Sequence, residues 1–227
     1  IGADISDLFN VLTGFSTQDD YRKIWTAPGS LRRNMIEKIE AEVDRHYARG
    51  NGYLAFKVNA LVDRAVIRAL YKASRAGVKI DLIVRGACCL RPGVPDWSEN
   101  IRVFSLVGRF LEHSRIFQFG QGDETEIYLG SADLMERNLD RRVEVVFPVE
   151  DAEWAAEIKD EIVKAYLLDT VNSWELDADG SYQRRLPPSG EAPFDSQAWF
   201  VAQYQKSPTL RTGRTGERTG DAVLVAQ

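Results

Sequence analysis

The chain has 227 residues, of which 44% are hydrophobic and 28% charged, and its formal net charge is −5. This length accommodates one large domain or two small ones, and the composition is ordinary for a globular protein. The negative net charge argues against indiscriminate binding to a polyanion, so an anion site requires local clustering of cations. No apolar run approaches the roughly 20 residues that span a bilayer.

The first residues and the cysteines indicate the context of the chain. It opens without methionine and without the basic and apolar regions of a secretory signal, which predicts a piece of a longer chain. Cys88 and Cys89 are adjacent, and neighbouring cysteines rarely form a relaxed disulfide. We therefore expect a reducing cytoplasm, with both thiols in a small packing role.

Residues 1–49 are predicted to form a helical connector. Apolar residues recur at helical spacing over residues 3–13, and the polar stretch 15–29 predicts a loop. A second helix is expected over residues 31–48. His46 lies near its end, where a cation suits the helix dipole, so we expect a surface role for it.

A strand–helix–strand unit follows. Residues 53–59 and 78–84 are predicted as strands and the amphipathic stretch 60–76 as a helix, which is the length of a βαβ unit. Further strands are expected at 101–107, 114–119, 126–129 and 143–148, and a further helix at 152–166. The expected fold class is α/β, a mixed sheet flanked by helices, with 50–186 as the domain and 187–227 as a disordered or peripheral polar tail.

Polar side chains close both strands of the predicted unit. Lys57 and Asn59 end the first strand, and Arg85 follows the second. Because ligand crevices in such sheets lie at the carboxyl ends of the strands, these residues should face one crevice. From Arg85 to Arg142 the chain has eight arginines and no lysine. Arginine forks pair phosphate oxygens bidentately, although single arginines also coat surfaces or pair with acids.

The stretch FLEHSRIF places His113 in an apolar, strand-like run. A buried imidazole must be hydrogen-bonded, so His113 is either a satisfied core residue or part of a catalytic site. Arg115 follows it, and Ser131, Asn138 and Arg142 come later, each in a short polar motif. The pattern H-x-R, strand, G-S-x-(N/D), R-x-E resembles half of the phospholipase D superfamily motif, whose histidine performs nucleophilic or acid–base work on phosphorus.

Longer strings carry a more specific resemblance. The segments NALVDRAVIRALYKASRAGVKIDLIVRGACCLRPGV, SENIRVFSLVGRFLEHSRIFQFG and IYLGSADLMERNLDRRVEVVFPV are similar to the C-terminal phospholipase-D-like domain of bacterial polyphosphate kinase of the phosphohistidine type. The opening ADISDLFNVLTGFS resembles that family's connector between two such domains. The resemblance runs to about Leu186, and nothing in the chain matches the family's N-terminal part or first catalytic domain.

The resemblance implies reversible transfer of the terminal phosphate of ATP to inorganic polyphosphate. It implies Mg²⁺, held mainly by the missing domain and by the ATP phosphates, and no metal ligand in this chain. The phosphorylated histidine would lie on the missing domain, so the chain alone is expected to be inactive. The implied partners are ATP or ADP and polyphosphate, in a cytoplasmic homo-oligomer with at most peripheral membrane association and no nucleic acid.

Residue by residue, the resemblance implies that Arg85 and His113 contact ATP and that Arg142 faces the same tunnel. His113 would assist proton transfer or stabilise the transition state, with Glu112 or a neighbouring carbonyl orienting its ring. Further candidates for phosphate or polyphosphate contacts are Lys57, Asn59, Arg115, Ser131 and Asn138. For each of these five, a structural role is an equal alternative.

Two other functions stay open on the sequence. A phospholipase-D-type phosphodiesterase or nuclease would share the histidine and the Gly-Ser element. Against it, arginine replaces the lysine of the usual H-x-K, and one motif is present where two are needed, although a dimer would supply the second. The other alternative is a non-catalytic module that binds polyphosphate or a nucleotide.

Overall fold

The computed structural model describes residues 1–205. The strands are β1 Trp25–Ala27, β2 Tyr53–Val58, β3 Lys79–Val84, β4 Ile101–Leu106, β5 Ile116–Phe119, β6 Glu126–Gly130, β7 Glu144–Pro148, β8 Ser173–Leu176 and β9 Tyr182–Arg184. The helices are α1 Gly2–Leu12, α2 Leu31–Arg49, α3 Arg64–Arg75, α4 Glu136–Asp140, α5 Ala152–Glu157, α6 Lys164–Leu168 and α7 Ser196–Gln205. A π-helical segment, Ile158–Val163, joins α5 to α6, and Gly122–Glu124 forms a 3₁₀ turn. Within the described range, no helix is both long and apolar enough to cross a membrane.

The strands of residues 1–205 form one mixed sheet in the order β1-β7-β6-β5-β2-β3-β4-β8-β9. β3 pairs in parallel with both β2 and β4, and the other neighbours are antiparallel. The βαβ unit expected from the sequence is present as β2, α3 and β3. The predicted α/β class, a mixed sheet flanked by helices, is confirmed.

Successive side chains of β2 point to opposite faces of the sheet. Leu54 and Phe56 are fully buried in the larger core, which α2 and α3 cover. Ala55 points to the other face, where it joins a second apolar cluster with Val163 of the π-helical segment. α3 begins at Arg64 because the Asp63 carboxylate caps it by accepting two backbone N–H groups.

The expected boundary after residue 49 does not separate a connector from the domain. Trp25 of β1 is buried, and β1 forms the outer strand beside β7. In α2, Leu31, Met35 and Ile39 are fully buried against the sheet. The apolar stripe that made α2 predictable as a helix is thus a core face rather than a linker surface.

The segment predicted as a disordered or peripheral tail contains α7, which is anchored to the body. Asp169, at the end of α6, accepts hydrogen bonds from the Ser196 backbone N–H and hydroxyl at 2.8 and 2.6 Å. Ser196 is fully buried. α7 is thus an ordered helix held at its start by a buried polar residue, a contact that the polar composition of the segment does not reveal. Residues 206–227 lie outside the described residues.

The surroundings of His46 and of the two cysteines differ in part from those predicted. His46 is half-buried, and its Nδ1 accepts the Gly52 N–H at 3.1 Å. A Cβ at Gly77 would lie 2.7 Å from His46 Nε2, so the ring needs glycine there. Cys88 packs on the core, where burial raises the pKa of its thiol to about 11, whereas Cys89 is exposed. Only Cys88 has the predicted packing role.

Asp4→Asn is expected to destabilise the chain at neutral pH and to have no effect in acid. Burial raises the pKa of Asp4, but hydrogen bonds from the Lys23 N–H, the Arg22 side chain and the Ile24 N–H outweigh it and lower the pKa. A lowered folded-state pKa contributes stability above the unfolded value of about 3.9, which is lost as pH falls through the folded pKa. Urea unfolding at pH 7 should show a loss of about 1 kcal/mol or more.

The same experiment at decreasing pH should bring the two unfolding curves together. Asp19→Asn, at an exposed carboxylate, serves as the control and should match the wild type throughout. A difference between Asp4→Asn and wild type that stayed constant down to pH 2 would contradict the ionic role of Asp4.

A cationic site at one edge of the sheet

The carboxyl ends of the parallel strands define one edge of the sheet, and the antiparallel registers bring other strand ends to it. Lys57 of β2 lies opposite Ile116 at the start of β5. Ile116 pairs with Leu129 of β6, and Gly130 pairs with Val146 of β7. The candidate residues predicted from the sequence lie at or just beyond this edge: Lys57, Asn59, Arg85, His113, Arg115, Ser131, Asn138 and Arg142.

His113 lies in the loop 107–115 between β4 and β5, not inside a strand. β5 begins only at Ile116, and the His113 side chain is exposed. The alternative of a satisfied core histidine is therefore excluded. Among residues 1–205 no group hydrogen-bonds to the ring, so Glu112 is not its orienter, contrary to expectation.

Two arginines hold the backbone around this imidazole. Arg85 Nη1 donates to the carbonyl oxygen of Glu112 at 3.1 Å, and Arg115 Nη1 donates to the carbonyl oxygen of His113 at 2.7 Å. Consecutive carbonyls are thus fixed while the ring stays accessible. A histidine held in this way can exchange a proton with, or donate a hydrogen bond to, a ligand at this edge.

Lys57 is buried behind the loop and is engaged by protein groups. Its Nζ donates to Ser114 Oγ at 2.9 Å and lies 3.1 Å from Glu112 Oε2 and 4.6 Å from the centre of the Tyr166 ring. Burial lowers the pKa of this ammonium group, and the Glu112 carboxylate opposes that change. Because Lys57 is only 3% exposed, its geometry supports the structural alternative.

The guanidinium of Arg115 is paired with the carboxylate of Asp133. Its Nη2 and Nε donate to the two oxygens of Asp133 at 2.8 and 3.3 Å. Asp133 Oδ1 also accepts the backbone N–H groups of Asn59 and Ala60, at 2.6 and 3.3 Å. Asp133 thereby ties the end of β2 to the segment after β6. The Arg115 side chain and the Asn59 backbone are therefore used in building the edge itself.

Ser131 and Asn138 converge on one buried carboxylate, Glu144. Ser131 Oγ donates to one of its oxygens, and Asn138 Nδ2 donates to the other at 2.5 Å. The close pairing of β6 and β7 requires glycine at position 130, since a Cβ on Gly130 would lie 2.6 Å from the carbonyl oxygen of Val145. Both polar side chains therefore organise the turn between these strands.

Arg85 and Arg142 retain donors that a ligand could use. Arg142 is exposed, and in the described part of the chain its guanidinium forms no ion pair or hydrogen bond. Arg85 is half-buried and commits Nη1 to the Glu112 carbonyl, out of five N–H donors. Both side chains lie at the same sheet edge as the exposed His113, Arg85 after β3 and Arg142 before β7.

Two neighbours of the candidate residues, Gln197 and Tyr166, were not predicted from the sequence. Gln197 Nε2 donates to Glu112 Oε1 at 2.8 Å from 85 positions along the chain, and nothing in the sequence marks it. Tyr166, whose ring faces Lys57, was equally unmarked. Asp133 did carry a signal, because it occupies the last position of the G-S-x-(N/D) pattern.

The carboxylates at this edge do not form a metal site. Over residues 1–205 no group of three His, Cys, Asp or Glu side chains is arranged to hold a metal ion. Glu112, Asp133 and Glu144 are each hydrogen-bonded to protein donors. These three carboxylates are therefore already engaged by protein donors.

These features define an α/β domain with an open cationic site at one sheet edge. A family model described as Polyphosphate kinase C-terminal domain 2 matches residues 24–197. The chain therefore belongs to the polyphosphate kinase C-terminal domain 2 family, as its resemblance predicted. This match favours the kinase family over the phospholipase-D-type alternative.

Individual relatives agree with the family match. The polyphosphate kinase of Synechocystis sp. is 54% identical over 216 residues, which cover 93% of this chain and 30% of that protein. That of Thermosynechococcus vestitus is 49% identical over 206 residues, 91% of this chain and 28% of that protein. The crystal structure of polyphosphate kinase from Porphyromonas gingivalis matches with a TM-score of 0.82 at 39% identity, covering 90% of this chain and 31% of that chain. The chain thus spans about a third of the length of these relatives.

Proposed function

We propose that this chain supplies one half of an active site that transfers the terminal phosphate of ATP reversibly to inorganic polyphosphate. Its similarity to proteins named polyphosphate kinase supports this reaction. The chain spans about 30% of those proteins, so the other half of the site and the phosphorylated histidine would come from the remaining domains. The chain alone is expected to bind but not to turn over.

One observation carries the proposal: His113 is exposed on a backbone that Arg85 and Arg115 hold at consecutive carbonyls. A fixed, accessible imidazole is suited to hold or move a proton at a phosphate oxygen during transfer. The open donors of Arg85 and Arg142 would bind phosphoryl oxygens, whose negative charge must be stabilised in the transition state. Arg115 and Lys57 would act by shaping this edge.

Mg²⁺ is part of the proposed reaction but receives no ligand from this chain. It would neutralise phosphate charge while bound to the nucleotide and to the other domain. We place the reaction in the cytoplasm, where ATP is available and where the free thiols of Cys88 and Cys89 stay reduced. The proposed assembly is a homo-oligomer of the complete enzyme, with no nucleic-acid partner.

The test uses a chimera in which this chain replaces the matching region of the Synechocystis polyphosphate kinase. The chimera should form ADP from ATP in the presence of polyphosphate. Arg142→Ala should lower kcat/KM about 10- to 100-fold, because it removes a donor to phosphoryl oxygens. Coupled assay of ADP formation, with gel analysis of polyphosphate length, measures both.

Arg141→Ala is the matched control, since Arg141 is the preceding arginine and is also exposed. Its only ion pair in the described chain, with Glu136 at 3.5 Å, joins two exposed side chains and contributes little. Activity of Arg141→Ala should stay within about twofold of the chimera. A chimera that released p-nitrophenol from a phosphodiester but formed no ADP would refute the kinase proposal in favour of a diesterase.

A further inference from the structure

A buried polar cluster lies behind the loop 107–115, and the proposed function uses only one of its members, Lys57, to shape the site. Lys57, Glu112 and Gln197 are its members, and Lys57 and Gln197 are 3% and 5% exposed. A buried ion pair is often no more stable than apolar residues of the same volume, so stability is a weak reason for its presence. The loop residues to which the cluster is bonded suggest a better reason for its presence.

Lys57 binds the residues on both sides of His113. Its Nζ meets the carboxylate of Glu112 at 3.1 Å and the hydroxyl of Ser114 at 2.9 Å. With residues 112 and 114 drawn inward to one buried ammonium group, the imidazole between them is directed outward, as its exposure shows.

Gln197 of α7 fixes the same loop from the other direction. Its Oε1 accepts the Phe110 N–H at 2.9 Å, and its Nε2 donates to the Phe110 carbonyl at 2.9 Å and to Glu112 Oε1 at 2.8 Å. Both carboxylate oxygens of Glu112 are thus occupied, one by Lys57 and one by Gln197. Asp169 in turn fixes the start of α7 through the adjacent Ser196.

We propose that Lys57, Glu112 and Gln197 form a positioning network that sets where the His113 imidazole meets the transferred phosphoryl group. The three side chains bond to one another and to the loop, so we treat them as positioning rather than catalytic residues. The inference rests on the proposed function. Misplacing a reacting group by about 1 Å can cost about 100-fold in rate, so loosening the network should lower kcat more than it changes substrate affinity.

The variant that tests the network is Gln197→Ala, because it releases the loop without leaving Lys57 unpaired. The chain has two histidines, so its imidazole Cε1–H region in a ¹H–¹³C spectrum has two signals. In Gln197→Ala the His113 signal should shift or broaden, while that of His46, at the opposite edge, stays in place. Gln205→Ala, at an exposed position of the same helix, should move neither signal.

An unchanged His113 signal would overturn the proposed network. Equal changes in both histidine signals would also overturn it, because they would show a general loss of stability and not a specific effect on His113. Kinetics of the chimera give the second readout. Gln197→Ala should lower kcat about 10- to 100-fold, with KM for ATP within about threefold. A raised KM with unchanged kcat would also overturn the inference. An inactive wild-type chimera would refute the proposed kinase function instead, and the spectra would still test the network.

Discussion

Replacement of His113 by alanine is expected to lower kcat of the chimera by about 100- to 10,000-fold, the usual range for loss of a positioned acid–base group. The fold should survive, because the side chain is exposed and its ring makes no hydrogen bond within residues 1–205. We expect the free energy of unfolding to change by no more than about 0.5 kcal/mol. Steady-state ADP formation and urea unfolding measure the two quantities.

The other histidine gives a matched control with the opposite outcome. His46→Ala removes the acceptor of the Gly52 N–H and the ring that packs against Gly77, so it should cost about 1 to 3 kcal/mol of stability. It lies at the amino ends of β2 and β3, away from the cationic edge, so kcat of the folded protein should be kept. Normal kcat in His113→Ala would remove the imidazole from the mechanism.

Asp133→Ala is expected to destabilise the chain by about 3 to 5 kcal/mol, which is typical when one partner of a buried ion pair is removed. The Arg115 side chain is only 10% exposed and would lose both its bonds to this carboxylate. The backbone N–H groups of Asn59 and Ala60 would lose their acceptor as well. Urea unfolding followed by tryptophan fluorescence gives the difference directly.

Asp123→Ala is the comparison, at an exposed aspartate in the turn before β6. It should change stability by no more than about 0.5 kcal/mol. The stability of Asp133→Asn should lie between those of Asp133→Ala and Asp123→Ala. Its amide oxygen can still accept the Asn59 N–H, but it carries no charge to pair with Arg115. If Asp133→Ala were as stable as Asp123→Ala, the carboxylate would not hold the end of β2 to the following loop.

Apolar patterning was sufficient to predict the centre of the sheet. The strands β2 to β7 lie within two residues of the predicted ranges, because each contains buried apolar residues that mark it in the sequence. The missed strands lie towards the margins of the sheet. β1 is three residues inside a polar stretch, and all of β9 is exposed, so neither has an apolar pattern of its own. Such strands form because a neighbouring strand offers hydrogen-bonding groups, which a single sequence does not display.

The cationic edge was predictable, but its internal pairings were not. Strand ends of a βαβ unit meet at one edge whatever their side chains are, so Lys57, Asn59 and Arg85 could be placed together. Which cation stays open depends on partners far along the chain. Lys57 is neutralised by Glu112, whereas Arg142 has no such partner within residues 1–205. The spacing of residues in the sequence does not show which cation has a carboxylate partner.

The bonds from Gln197 to the loop have a consequence for the modular inheritance of this domain. The family match ends at residue 197, which lies beyond the last strand of residues 1–205 and is the residue that contacts Phe110 and Glu112. A gene fission or fusion breakpoint at residue 186 would preserve the sheet and the histidine but discard these contacts. The smallest transferable unit therefore extends past the sheet into a helix that looks dispensable by composition.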